Sequence, residues 1–360
     1  MNKHHYVAIM AGGIGSRFWP MSRSNYPKQF LDILNTGQTL IQQTFHRFAK
    51  FIPAENIYVI TLQEYMGIVK KQLPEIPEEN ILGEPSRKNT APCVAYISFK
   101  LLQKDPSASL IVAPADHLIP EEEKFTATCK KALDFVDNMN ALVTLGIQPT
   151  HPNTGYGYIQ YEQAEAMPGV NKVKTFTEKP NPDLARTFIA SGDFLWNAGI
   201  FVWRAKTVLA AFEKHLPEIY EVFAAEKDKF NTAEEHAAIE EIYPQCTTIS
   251  IDFGIMEKAE NVFVIPSSFG WSDLGTWNSA WESMEKDRSG NAIAGKHVMT
   301  VEASNCMVHV PDHKLVLLEG LEDYIVVDTK DVLLICKKDK EQEIKDYVAE
   351  VKRHKGEKYL

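Results

Sequence analysis

The chain has 360 residues, 44% of them hydrophobic, and carries 48 Asp and Glu against 38 Lys and Arg, for a net charge of −10. That size buries one large core or two smaller ones. An acidic chain without a basic stripe repels a nucleic-acid polyanion, and no stretch approaches the ~20 apolar residues of a membrane span. Nucleic acid and membrane are thus excluded as expected partners, which leaves small ligands.

In chain order, the N-terminus lacks the long apolar region and cleavage site of a signal peptide, so Met1 is expected to begin the folded protein. Residues 7–10, VAIM, predict a buried strand. Directly behind it comes AGGIGSRFWPMSRSNYPKQF at 11–30. Gly12, Gly13 and Gly15 let the backbone turn tightly and approach a ligand, while Arg17 and Lys28 supply positive charge. A dinucleotide fingerprint would need glycine where Phe18 stands, and a P-loop would need Gly-Lys at Arg17-Phe18 or Phe18-Trp19. Residues 1–31 hold Lys3, Arg17, Arg23 and Lys28 without one Asp or Glu. In an acidic chain, a segment kept free of carboxylates reads as reserved for an anion rather than as a plain turn.

Helical patterns at 39–51 and 91–102 alternate with strand patterns at 57–60 and 110–113, the rhythm of a mostly parallel, doubly wound α/β sheet. A second strand and helix stretch runs over 141–259, with loops expected near Asn153 and Phe194. The texture changes near Arg288-Ser289-Gly290. Beyond it, short β-prone pieces at 297–301, 306–310, 314–318, 323–327 and 332–336 precede a charged helix at 340–353. This predicts a catalytic domain over 1–288 and a small β-rich domain over 289–360. The five cysteines, Cys93, Cys129, Cys246, Cys306 and Cys336, match no disulfide or zinc pattern and read as buried thiols in a reducing cytoplasm.

Ligands of open α/β sheets sit beyond the carboxyl ends of strands. Asp116 follows such a run, and Asp273 lies in Gly270-Trp271-Ser272-Asp273-Leu274-Gly275. Two loop carboxylates suit Mg²⁺, a hard ion completed by phosphate oxygens and water, although Asp116 also fits a helix cap or turn. His117 beside it reads as structural. Three further clusters carry polar chemistry: Glu84 to Pro92, with Asn89 and Thr90; the glycine-rich stretch Asn153 to Tyr158; and Glu178-Lys179 together with Asn197. Each alone reads equally as a turn, a cap or a solvated pair.

Taken together and in order, AGGIGSRFWPMSRSNYPKQF, EPSRKNTAP, APADH, NTGYGYI, FTEKP, FLWNAGIFVW, IDFGIMEKA and WSDLGTW resemble the mannose-1-phosphate guanylyltransferases, within the wider sugar-nucleotidyltransferase group. The resemblance spans residues 11–277 and extends to the β-rich tail, which is similar to that family's partial left-handed β-helix. It implies a Rossmann-like, mixed but mostly parallel sheet of the nucleotidyltransferase, GT-A-like kind. It also implies GMP transfer from GTP to mannose 1-phosphate, with GDP-mannose and pyrophosphate as products, by Mg²⁺-dependent in-line displacement without a covalent intermediate.

By that resemblance, Ala11, Gly12, Gly13, Gly15 and Ser16 cradle the nucleotide, Arg17 holds the phosphates that leave, and Lys28 neutralises the α-phosphate. Asp116 and Asp273 are the implied Mg²⁺ ligands. Glu84, Asn89, Thr90 and Ala91 fall at the base, with Glu84 accepting from guanine; Gly155, Tyr156, Glu178, Lys179 and Asn197 fall at the sugar phosphate. One departure is Gly254-Ile255, where the family usually has Ala-Val. The sequence closes at Leu360 without the cupin-like isomerase domain of longer relatives, so phosphomannose isomerase activity is not expected. Assembly as a homodimer is left open. The rival readings are a guanylyltransferase for another sugar 1-phosphate, such as a heptose, and a noncatalytic nucleotide-sugar sensor, which would have little use for Arg17, Lys28, Asp116 and Asp273 together.

Overall fold

The computed structural model describes residues 2–360, which leaves Met1 outside the described residues. Two compact units are present, one of residues 2–12, 45–115 and 119–271, the other of 13–44, 116–118 and 272–360.

The first unit is built on nine strands: β1 His5–Met10, β2 Ile57–Leu62, β3 Ile81–Glu84, β4 Ser109–Pro114, β5 Leu142–Ile147, β6 Tyr158–Met167, β7 Val170–Thr177, β8 Phe194–Arg204 and β9 Val262–Ser267. They form one sheet in the order β3-β2-β1-β4-β8-β5-β9-β7-β6. The pairs β1–β2, β1–β4 and β2–β3 are parallel, as is β5–β9. Strands buried on both faces must be apolar throughout, and β2 (IYVITL) is buried at all six positions. The helices Thr90–Lys104 and Ala205–His215 bring Val94, Ile97, Leu101, Val208 and Phe212 into the same core as Val112 and Trp203. Each such side chain contributes about 1.5–3 kcal/mol when buried.

One expectation is corrected here. In place of the loop expected near Phe194, an eleven-residue strand begins there and runs antiparallel to both β4 and β5. Asn197 and Gly199 give the stretch its loop-like texture, yet the Asn197 side chain is satisfied inside the sheet by Thr144 and Asp252. A polar residue with its hydrogen bonds met costs a strand little.

The second unit carries six short strands: β10 Ala292–Ala294, β11 Val298–Val301, β12 Met307–His309, β13 Val316–Glu319, β14 Tyr324–Asp328 and β15 Leu333–Lys337. β10, β12 and β14 stack in parallel, β11 pairs in parallel with β13, and β15 closes the larger sheet antiparallel to β14. The terminal helix is Ile344–Lys355. It follows a 3₁₀ stretch, Lys338–Glu343, in the place where the charge pattern predicts its first turn. The core of this unit joins Phe18, Trp19, Ile33 and Leu40 to Trp277, Met307, Ile325, Val327, Leu334 and Ile344. Among the described residues, no helix is long and apolar enough to cross a membrane.

Candidate active site

In the second unit the glycine-rich segment is shaped around Lys28. Gly15 has φ +70°, and a Cβ there would overlap the Lys28 side chain, so both conformation and space require glycine. The Lys28 backbone N–H donates to the Ile14 carbonyl at 3.2 Å. Its side chain is 3% exposed, and the ammonium lies 5.5 Å from the centre of the Phe18 ring. It donates to Asp116 Oδ2 at 2.9 Å, to the Asp116 carbonyl at 3.2 Å and to the Asp273 carbonyl at 3.0 Å. Three residues remote in sequence thus meet at one charge. Their loops are tied by reciprocal backbone bonds between Leu118 and Ser272, at 2.9 and 3.0 Å. Burial alone would raise the Asp116 carboxyl, but Lys28, with His117 behind it, holds it below the ordinary value.

Asp273 Oδ1 accepts from the Gly275 N–H at 3.1 Å. Among the described residues no group of three or more His, Cys, Asp or Glu is arranged to hold a metal. Arg17, next to Ser16 in a short 3₁₀ turn, is placed apart from Lys28 in its bonding: its Nε donates to Gln342 Oε1 at 2.9 Å. Arg23 makes a two-pronged pair with Asp331. A Cβ on Gly13 would meet nothing within 4 Å, so the space beside it is open.

In the first unit, Ala11 is anchored by its N–H to the Ile60 carbonyl at 2.7 Å and by the Thr61 hydroxyl on its carbonyl at 2.8 Å. Glu84 ends β3 and is 4% exposed. Its Oε1 accepts from Cys93 Sγ and from the Tyr243 hydroxyl, each at 2.9 Å. Burial pushes its carboxyl up to about 7 against the pull of these two donors. Oε2 lies 3.7 Å from where a Cβ on Gly12 would stand. The capping role open to Glu84 belongs instead to Asn89, whose side chain accepts from the Thr90 N–H at 2.9 Å. The Thr90 hydroxyl accepts from the Ile251 N–H, and the buried Ala91 donates its N–H to the Ile249 carbonyl. Sequence reasoning misses Cys93 and Tyr243. Cys93 stands one helical turn past Asn89, whereas no local signal marks Tyr243.

The third cluster, also in the first unit, gathers Glu178, Lys179 and Asn197. A Cβ on Gly157 would fall 2.5 Å from Glu178 Oε2, so glycine lets that carboxylate close on the loop. Lys179 pairs with Glu178 at 2.8 Å, and its N–H reaches the Tyr156 carbonyl at 3.2 Å. Tyr156 packs edge-on against Trp196 and Trp271. Gly155 is held by Asn153 Oδ1 at 2.7 Å. Asn197 Nδ2 donates to Asp252 Oδ1 at 2.8 Å, and its Oδ1 accepts from Thr144 and Gly199. Asp252 opens a wide π-helical turn, Asp252–Met256. Its carboxyl is pushed up to about 6 by burial and then by Glu178. Asp252 is the other residue missed, although it stands inside IDFGIMEKA. In the same turn, a Cβ on Gly254 would meet Leu216 Cδ1 at 2.6 Å, which accounts for glycine there.

Residues 6–290 match the family described as Nucleotidyl transferase, and residues 295–351 match the MannoseP isomerase/GMP-like beta-helix domain. The Alginate biosynthesis protein AlgA of Pseudomonas aeruginosa is 38% identical over 95% of this chain and 71% of its own length. A Mannose-1-phosphate guanylyltransferase of Salmonella montevideo is 38% identical over 96% of this chain and 73% of its own. A crystal structure described as mannose-1-phosphate geranyltransferase from Thermus thermophilus superposes with a TM-score of 0.88 at 30% identity, covering 97% of this chain and 99% of that one. The chain belongs to the nucleotidyl transferase family, among the mannose-1-phosphate guanylyltransferases and their relatives.

Proposed function

We propose that this protein transfers GMP from GTP to mannose 1-phosphate, giving GDP-mannose and pyrophosphate. The observation that carries the reading is the buried Lys28 ammonium joined to Asp116 and Asp273 beside a glycine-shaped backbone, in a chain whose relatives include a Mannose-1-phosphate guanylyltransferase. The phosphate of mannose 1-phosphate is already anionic, so its attack on the α-phosphorus needs no strong base. The site has to align the reactants and neutralise charge. Lys28 stabilises charge that builds at the α-phosphorus, and Arg17 binds the departing β and γ phosphates.

Asp116 and Asp273 would hold Mg²⁺: both are hard oxygen donors, their loops are tied through Leu118 and Ser272, and phosphate oxygens and water would complete the shell. When bound, the ion would offset triphosphate charge. Glu84 reads guanine, while Glu178, Lys179, Asn197 and Asp252 bind the sugar phosphate. Five thiols with no disulfide suit the reducing cytoplasm.

The test is pyrophosphate release from purified protein across the four NTPs and a panel of sugar 1-phosphates. GTP with mannose 1-phosphate should be the fastest pair and should require a divalent cation. Faster turnover of a different sugar 1-phosphate would overturn the mannose assignment, and no turnover of any pair would favour a nucleotide-sugar sensor.

A further inference from the structure

Glu84 is buried, yet among the described residues no cation faces its carboxylate. The groups around it are the thiol of Cys93 and, behind it, Tyr96, both on the helix Thr90–Lys104; the hydroxyl of Tyr243, on the short turn Tyr243–Gln245; and the backbone at Gly12. Tyr96 directs its own hydroxyl to Glu235 at 2.6 Å. Cys93 and Tyr243 converge on a single oxygen, Oε1. A carboxylate oxygen has two lone-pair sites, so these donors fill Oε1, and Oε2 is the one turned to Gly12.

We infer that Cys93 and Tyr243 are positioning residues for base selection: by occupying Oε1 they fix Glu84 so that Oε2, facing Gly12, receives the N1–H and N2–H donors of guanine. This rests on the reading of Glu84 as the guanine acceptor. Neither side chain touches the base. With Oε1 filled, a proton taken up by Glu84 sits on Oε2 and points a donor at guanine's donors, so only the ionised carboxylate reads guanine. Burial pushes the Glu84 carboxyl up to about 7, and the two donors pull it down. Removing either donor therefore moves the ionisation to higher pH and frees the carboxylate to rotate. The thiol and the phenol stay neutral throughout, since burial followed by the Glu84 charge raises both.

The experiment measures kcat/KM for GTP and for ITP, which lacks the N2 donors, from about pH 5.5 to 8.5. It compares wild type, Tyr243→Phe, Cys93→Ala, Cys93→Ser and Glu84→Gln. Wild type should show a rising limb near pH 7. In Tyr243→Phe and Cys93→Ala the limb should move to higher pH, and the GTP preference over ITP should fall by about three- to tenfold, the size of one ordinary hydrogen bond, since neither donor touches the base itself. Cys93→Ser should restore both, and the KM for mannose 1-phosphate should stay at its wild-type value. The Cys93→Ala and Cys93→Ser pair carries the test even where Tyr243→Phe does not fold. If Glu84→Gln removes the limb while Tyr243→Phe and Cys93→Ala leave limb and preference unmoved, the positioning roles are overturned and Glu84 still reads guanine. If Glu84→Gln itself leaves limb and preference unmoved, the reading of Glu84 fails and takes the inference with it.

Discussion

Lys28 is held where a mobile surface lysine would be of little use. Its ammonium is already oriented by three oxygens before a nucleotide arrives, and preorganised charge acts on a transition state without paying for reorientation. Lys28→Met should lower kcat by about two to three orders of magnitude while changing the KM for GTP only a few-fold. On the proposed reading Arg17 binds the β and γ phosphates and binds them more strongly as charge builds on the leaving pyrophosphate, so Arg17→Ala should impair both constants. A Lys28→Met enzyme with normal kcat and raised KM would reduce Lys28 to a binding residue. Asp252 supports a prediction of a different kind. Its folded value of about 6 lies above that of an unfolded aspartate, so the fold prefers the protonated form. The cost of ionising it is absent below about pH 4, grows as pH rises, and is complete above about 6. With the partial solvent access of Asp252, that cost is about 1–2 kcal/mol. Asp252→Asn should therefore melt higher than wild type at pH 8 and alike at pH 4. Equal melting temperatures at both would show that Asp252 is not ionised against the fold.

The elements differ in how openly the sequence announces them. β1, β2 and β4 are short apolar runs that alternate with helical patterns, and the glycines and carboxylates at their ends are visible because strand exits are where α/β sheets keep ligands. β8 is hidden because Asn197 and Gly199 resemble loop residues until Thr144 and Asp252, 53 and 55 positions away, satisfy the amide. Tyr243 is hidden for the same reason, since only tertiary packing carries it the 159 positions to Glu84. Cys93 is visible but mute, as a thiol in a helix is ordinarily just core. The 3₁₀ stretch Lys338–Glu343 is a further case: the sequence reads there as the start of a charged helix, and no local signal shows that Gln342 takes Arg17 Nε. That bond engages Nε, and on the proposed reading the two terminal nitrogens of the guanidinium take phosphate. Gln342→Ala should raise the KM for GTP by about three- to tenfold with kcat retained, the effect of one lost hydrogen bond. A lowered KM would mean that Gln342 competes with the nucleotide.

The division of the molecule bears on what its C-terminal portion is for. The family matches change over between residues 290 and 295, whereas packing joins residues 13–44 to 272–360. Phe18 and Trp19, between Arg17 and Lys28, are buried with Met307, Ile325, Val327, Leu334 and Ile344. Trp19 Nε1 also donates to the Tyr359 carbonyl at 2.8 Å. The β-rich strands thus form part of the floor on which the glycine-rich segment rests. Removing residues 289–360 would uncover several side chains, each worth about 1.5–3 kcal/mol of burial, all of them beneath this one segment. The large core around Val112, Ile97 and Trp203 draws on the first unit alone and should survive the cut. A chain of residues 1–288 should keep a cooperative melt and the far-ultraviolet spectrum of the sheet. It should be cleaved within 13–44 by limited proteolysis, and its pyrophosphate release should fall by at least about two orders of magnitude, as expected when catalytic groups lose their alignment. A truncated chain that resists cleavage there and turns over like the full-length protein would mean that the glycine-rich segment holds its shape without the strands beneath it.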